Sequence, residues 1–273
     1  EPFKVIEKDG RLYGRGTSDD KGPVLCALYA MRAIKESGIP LKKNVRLILG
    51  SDEETGSIDI TKYYAKEPEA DLTFSPDAEF PLINIEKGQF RGTFKAEAPV
   101  TGNGVELISL DAGVAPNAVP NRCRMEFSGT DKKTLETACE KLKKEIPVDY
   151  EIADDTHVLI IGESAHASTP EAGVNAGLAG ITLLNYLPLE DTKRNTLLKK
   201  VLELFPYGVY DGSGLGIAMT DKEGLSLSAT LDLFSVDKDG MSFSFDSRSP
   251  LNADDDNCLN VARSKCENAG FTF

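Results

Sequence analysis

The strongest constraint on this chain is a change of hydrophobic texture near Gly88. Before it, short apolar runs alternate with helical patterns. Arg11-Leu-Tyr-Gly, residues 44–49 and Leu72-Thr-Phe read as strands. Between the first two, Val24, Leu25, Leu28, Met31, Ala33 and Ile34 recur at near-helical spacing over residues 21–37, and Gly38 supplies the stop. A short helix is expected over residues 59–65. Strands separated by helices predict a buried, mainly parallel sheet.

After Gly88 the pattern alternates residue by residue. Strands are expected over residues 89–98, 105–110, 122–128, 157–161, around 225–234 and over 241–245. Helices are expected over residues 132–145, capped by Thr130, and over 171–187, 195–205 and 255–269. Strands beside single long helices predict two-layer α+β packing. The domain boundary therefore falls near residue 87, giving units 1–86 and 87–273.

Charge narrows the function. The chain has 44 acidic against 31 basic residues, a net charge of −13. Nucleic acids and anionic membranes both demand a basic footprint, so neither is an expected partner. No apolar run approaches the roughly 20 residues of a membrane-spanning helix. The five cysteines are odd in number and form no CxxC pair, which predicts free thiols and a cytoplasmic location. Glu1 opens the chain within a strand-and-turn pattern and Phe273 closes it within an apolar run, so the sequence reads as a piece cut at both ends.

Three acidic clusters each follow a predicted strand. They are Gly14-Arg-Gly-Thr-Ser-Asp-Asp-Lys-Gly-Pro, Gly50-Ser-Asp-Glu-Glu-Thr-Gly and Ser75-Pro-Asp-Ala-Glu-Phe-Pro. Singly, each is an ordinary polar turn. Together they place carboxylates at the strand ends where α/β sheets build sites, and such crowding calls for a cation. The glycines lack Walker spacing, which argues against a phosphate loop.

With Lys21-Gly-Pro and Glu86-Lys-Gly added, these motifs resemble the co-catalytic dinuclear-zinc metallopeptidases, a family that includes succinyl-diaminopimelate desuccinylase, glutamate carboxypeptidase and carnosinase. The bacterial dipeptidase branch is the most similar. The resemblance spans essentially the whole chain. It implies part of a three-layer α/β catalytic domain followed by an α+β two-layer lid, acting as a monomer on small peptides.

The resemblance also assigns roles. Asp19 would bridge two zinc ions, with Glu54 and Asp77 as terminal ligands; manganese or cobalt could replace zinc. Glu53 would be the general base, and the peptide after Asp19 would be cis. Within Gly162-Glu-Ser-Ala-His-Ala-Ser-Thr-Pro, His166 would hydrogen-bond the oxyanion. Asn117 would touch substrate, and Arg248, in Phe245-Asp-Ser-Arg, would clamp the substrate carboxylate. His157 reads as a structural strand residue.

In this family each zinc also takes a histidine from segments that His157 and His166 do not match. The chain by itself is therefore expected to be inactive. A related deacylase or carboxypeptidase, or a non-catalytic acidic binding module, are the alternatives.

Overall fold

Asp9 and Gly10 both adopt positive φ, 52° and 70°. That geometry suits the tight turn between two short antiparallel strands, β1 (Ile6–Lys8) and β2 (Arg11–Tyr13). The computed structural model describes residues 3–53, 56–77, 82–102 and 104–273. Contacts divide the chain into two units, Glu1–Glu86 and Lys87–Phe273.

In the first unit both helices form where the periodicity places them: α1 is Lys21–Glu36 and α2 is Ile58–Tyr64. The predicted strands over residues 44–49 and 72–74 do not form. A helix closes its hydrogen bonds within its own segment, whereas a parallel strand needs neighbours. The described part of this unit supplies no ladder beyond the β1–β2 pair. Leu49, Leu72 and Phe74 are accordingly 63%, 84% and 85% exposed. Among the described residues, no hydrophobic side chain of this unit is buried.

The second unit carries a seven-stranded antiparallel sheet. Its strands are β3 (Gly88–Glu97), β4 (Glu106–Ala112), β5 (Arg122–Ser128), β6 (Asp149–Ile152), β7 (His157–Ile161), β8 (Ser228–Val236) and β9 (Gly240–Ser249). They lie in the order β3-β9-β8-β4-β5-β7-β6. Alternation sorts the two faces. On β5, Cys123, Met125 and Phe127 are buried while Arg122 and Arg124 are exposed. On β3, Gln89, Arg91, Thr93 and Lys95 face outward.

Four helices accompany the sheet: α3 (Lys132–Glu145), α4 (Ala176–Leu183), α5 (Lys193–Leu204) and α6 (Asn260–Asn268). Close approach of α4 rests on glycine. A Cβ on Gly177 would come within 2.3 Å of Phe234, and one on Gly180 within 2.6 Å of the Cys123 thiol. Phe94 anchors the core, its ring centroid 5.0 Å from that of Phe271 and 5.4 Å from that of Phe243. The chain is thus mixed α/β, and none of its described helices is long and apolar enough to cross a membrane. All five cysteines are free thiols.

Three local expectations are corrected. The cap of α3 is Asp131, whose carboxylate accepts from the Thr134 amide at 2.7 Å, rather than Thr130. The helix expected over 171–187 starts only at Ala176, because Gly173 is extended and Val174 bridges Glu163. Residues 255–259 form a π turn ahead of α6.

A buried arginine ties α5 to the sheet. Arg194, fully buried, donates to the carbonyls of Leu107, Ala98, Ile108 and Asp237 at 2.6–2.9 Å. The buried Glu106 lies near enough to favour its charge, against the desolvation that lowers its pKa.

Candidate functional site

The first acidic cluster is a turn between β2 and α1. Gly16 has φ +80°, and a Cβ on Gly22 would stand 2.8 Å from the Thr17 carbonyl, so both glycines are required for the turn to close. The Thr17 hydroxyl donates to the Gly14 carbonyl at 2.9 Å, and the Lys21 amine to that of Arg15 at 3.3 Å. Asp19 is exposed, and its peptide with Asp20 is cis, as the resemblance implies. A shallow hollow of about 480 Å³ opens here, lined by Lys4, Ile6 and residues 13–19.

The second cluster leads into α2. The Asp52 carboxylate accepts from the Ile58 amide at 2.9 Å. Asp59 accepts from the Ser51 amide at 2.6 Å, the main reason its pKa is lowered. Glu53 is exposed beside this turn. Asp77 is exposed in an irregular segment, and Glu54 lies outside the described residues. Carboxylate oxygens suit divalent cations in type. Among the described residues, however, no three such side chains converge as a metal centre requires. The described donors fall short of a site in number.

The second unit does bring two predicted site residues together. The segments around Asn117 and His166 run antiparallel, with Ala118 bridged to His166. The Ala167 amide donates to the Asn117 carbonyl at 2.9 Å, and the Val119 amide to that of Ala165 at 2.8 Å. Two glycines permit this close course. A Cβ on Gly113 would stand 1.9 Å from the Asp232 carbonyl, and one on Gly162 2.1 Å from that of Val174. Asn175, fully buried, caps α4 through the Leu178 amide at 3.0 Å and donates to the Leu231 carbonyl at 2.8 Å. The histidine loop is thereby tied to β8.

The ring of His166 is set by Ser168. Its Nδ1 accepts from the Ser168 amide at 3.2 Å and lies 2.7 Å from the Ser168 hydroxyl. A nitrogen that accepts carries no proton, so the neutral imidazole holds its hydrogen on Nε2. The exposed ring therefore presents a donor. His157 is different. Its Nδ1 lies 2.9 Å from the Asp154 carboxylate, which raises the histidine pKa and lowers that of the aspartate. It holds the turn between β6 and β7.

Arg248 stands on the outward face of β9, opposite Gln89 on β3. Its Nε donates to Asp246 Oδ1 at 2.8 Å. The other oxygen of Asp246 accepts from Arg91 Nε at 3.0 Å and from Gln89 Nε2. Sequence reasoning singled out Arg248 and missed these partners. The available signal was the i, i+2 spacing of Asp246 and Arg248 on one strand face.

Comparison with known proteins places the sequence in a family. A model described as "Peptidase family M20/M25/M40" matches residues 1–272. A "Beta-Ala-Xaa dipeptidase" of Lactobacillus delbrueckii subsp. lactis is 41% identical over 180 residues, covering 64% of this chain and 38% of that protein. The "Putative dipeptidase YtjP" of Bacillus subtilis is 33% identical over 198 residues, 70% of this chain and 42% of its own length. A "Putative dipeptidase" of Staphylococcus saprophyticus is 29% identical over the whole chain and is covered over 60% of its length. The chain thus spans 38–60% of these relatives.

Proposed function

Because the chain belongs to peptidase family M20/M25/M40, we propose that the protein is a metal-dependent dipeptidase that hydrolyses dipeptides carrying a free C-terminal carboxylate. The observation that carries this reading is the pairing of the Asn117 and His166 segments, with His166 Nδ1 held by the Ser168 amide so that Nε2 faces outward as the donor. Dipeptidase names recur among the relatives and support the substrate class.

In this reading Asp19, Glu54 and Asp77 are the carboxylates assigned to two zinc ions, with manganese or cobalt as alternatives. Bound there, such ions would acidify water and polarise a carbonyl. Glu53 takes a proton from the attacking water and returns it to the leaving amine. His166 donates from Nε2 to the carbonyl oxygen as negative charge gathers there. Asn117 contacts the substrate, and Arg248 pairs with its terminal carboxylate. The protein is assigned to the cytoplasm, as a monomer, with small peptides as its partners.

The test is an assay of the complete gene product, zinc added, on a dipeptide and on the same dipeptide amidated at its C-terminus. Cleavage of the free acid alone is expected. His166→Gln is expected to lower kcat by about 10²–10³-fold. Preference for an N-acylated amino acid would replace the dipeptidase reading with a deacylase or carboxypeptidase one, and equal cleavage of the amide would remove the requirement for a free C-terminal carboxylate.

A further inference from the structure

Asp246 is fully buried within the sheet, yet its carboxylate collects three side-chain donors. Arg248 Nε binds one oxygen at 2.8 Å; Arg91 Nε, at 3.0 Å, and Gln89 Nε2 bind the other. Cross-strand register makes this possible, since Gln89 opposes Arg248 and Arg91 opposes Asp246. Behind them the β8–β9 register shifts between Leu231 and Leu233. At this bulge Asp232 accepts the Asp246 amide at 3.2 Å.

Each guanidinium therefore spends its Nε–H inward. Among the described residues, the Nη nitrogens of Arg91 and Arg248 make no hydrogen bond. The side chains are 47% and 22% exposed, so these edges can be reached from solvent. A guanidinium held by Nε keeps its planar Nη edge for a second partner, and carboxylates match that fork.

We propose that Asp246 is a positioning residue which holds Arg91 and Arg248 as one two-guanidinium seat for the C-terminal carboxylate of a peptide. Arg91 is thereby a second specificity residue beside Arg248, and Gln89 steadies the shared carboxylate. The inference rests on the reading of Arg248 given above and extends it. Charge supports it. Burial, and then the neighbouring charge of Asp246, push Asp232 up to about 9, so it is neutral at pH 7. Two guanidiniums share the single Asp246 carboxylate between them, which leaves room for a second carboxylate as partner.

The experiment uses the 273-residue chain and two probes: N-acetylglycine, which carries a peptide-like carboxylate, and the neutral N-acetylglycinamide. Arginine side-chain Nε–H signals are followed by NMR during titration. N-acetylglycine is expected to shift both the Arg91 and the Arg248 signals, and the amide neither. Arg91→Gln and Arg248→Gln should each weaken binding about tenfold, the loss of one charge-assisted contact. Asp246→Asn should weaken it comparably. If that variant does not fold, Arg91→Lys decides, because lysine keeps the charge but has no Nε–H to anchor; it too should weaken binding. Unchanged affinity in Arg91→Gln overturns the shared seat and leaves Arg248 alone. Unchanged affinity in Arg248→Gln as well removes the carboxylate role proposed for Arg248. Equal binding of the amide overturns the carboxylate class itself. Unchanged affinity in a folded Asp246→Asn, or in Arg91→Lys, overturns the positioning role.

Discussion

The two units obey the same local rules with opposite results. Both form the helices their periodicity calls for: α1 and α2 in the first, α3 to α6 in the second. Only the second turns its strand patterns into a sheet. Val45 and Leu49 read as strongly as Val158 and Ile160, yet the former are 52% and 63% exposed and the latter 2% and 0%. The difference lies in partners. β7 has β5 on one side and β6 on the other, while the described residues offer residues 44–49 no ladder. Helix signals are local; strand signals are conditional on neighbours.

The largest test of that contrast is Arg194→Leu. Four backbone carbonyls depend on this one side chain, and Glu106 would lose the buried charge beside it. A cost of about 3–5 kcal/mol is expected, in the range for breaking a buried charge network. Hydrogen exchange should show loss of protection across residues 87–273 and little change in residues 1–86, which should exchange faster from the outset. Stronger protection in the first unit than in the second would undo the comparison.

How much was legible follows the same line. β5, β7 and α3 run over the residues expected, because each shows a clean half-buried pattern. β6 escaped notice: it has four residues, none buried, at the sheet edge. Asn117, His166 and Arg248 stood out through their motifs. Arg91 and Asp246 did not, since 155 residues separate them and only the β3–β9 register makes them partners. Asp19 and Glu53 lie at turns and Asp77 in an irregular segment, and their mutual arrangement depends on more than any local pattern carries.

A smaller effect sharpens what burial does inside the second unit. Asp232 rises to about 9 from an ordinary 3.8, chiefly through desolvation. The folded state then binds more protons than the unfolded one between those values, so this group's contribution to stability falls as pH rises through that window. Asp232→Asn removes the ionisation and keeps an oxygen for the Asp246 amide. The variant should match the parent near pH 4 and melt higher at pH 8, on the order of a few degrees. A variant that melts lower at pH 8 than at pH 4, relative to the parent, would show that the buried carboxyl is not the penalised group.

The smallest expected effect is at the surface of the same unit. Asp154 and His157 form an ion pair, but their side chains are 56% and 51% exposed, so solvent screens it. The signs are opposite for the two partners. The raised histidine contributes stability that is complete below its ordinary 6.5 and lost as pH rises through the folded value. The lowered aspartate contributes stability present above its ordinary 3.8 and lost as pH falls through the folded value. The pair is therefore strongest between those two ordinary values. His157→Gln should lower the melting temperature slightly at pH 5 and not at pH 8. It should also leave N-acetylglycine binding unchanged, because His157 holds a turn and belongs to no part of the proposed site. A pH 5 loss as large as that of Arg194→Leu would mean that the unit depends on its surface charges as much as on its core. The contrast with the first unit would then need a different cause from burial.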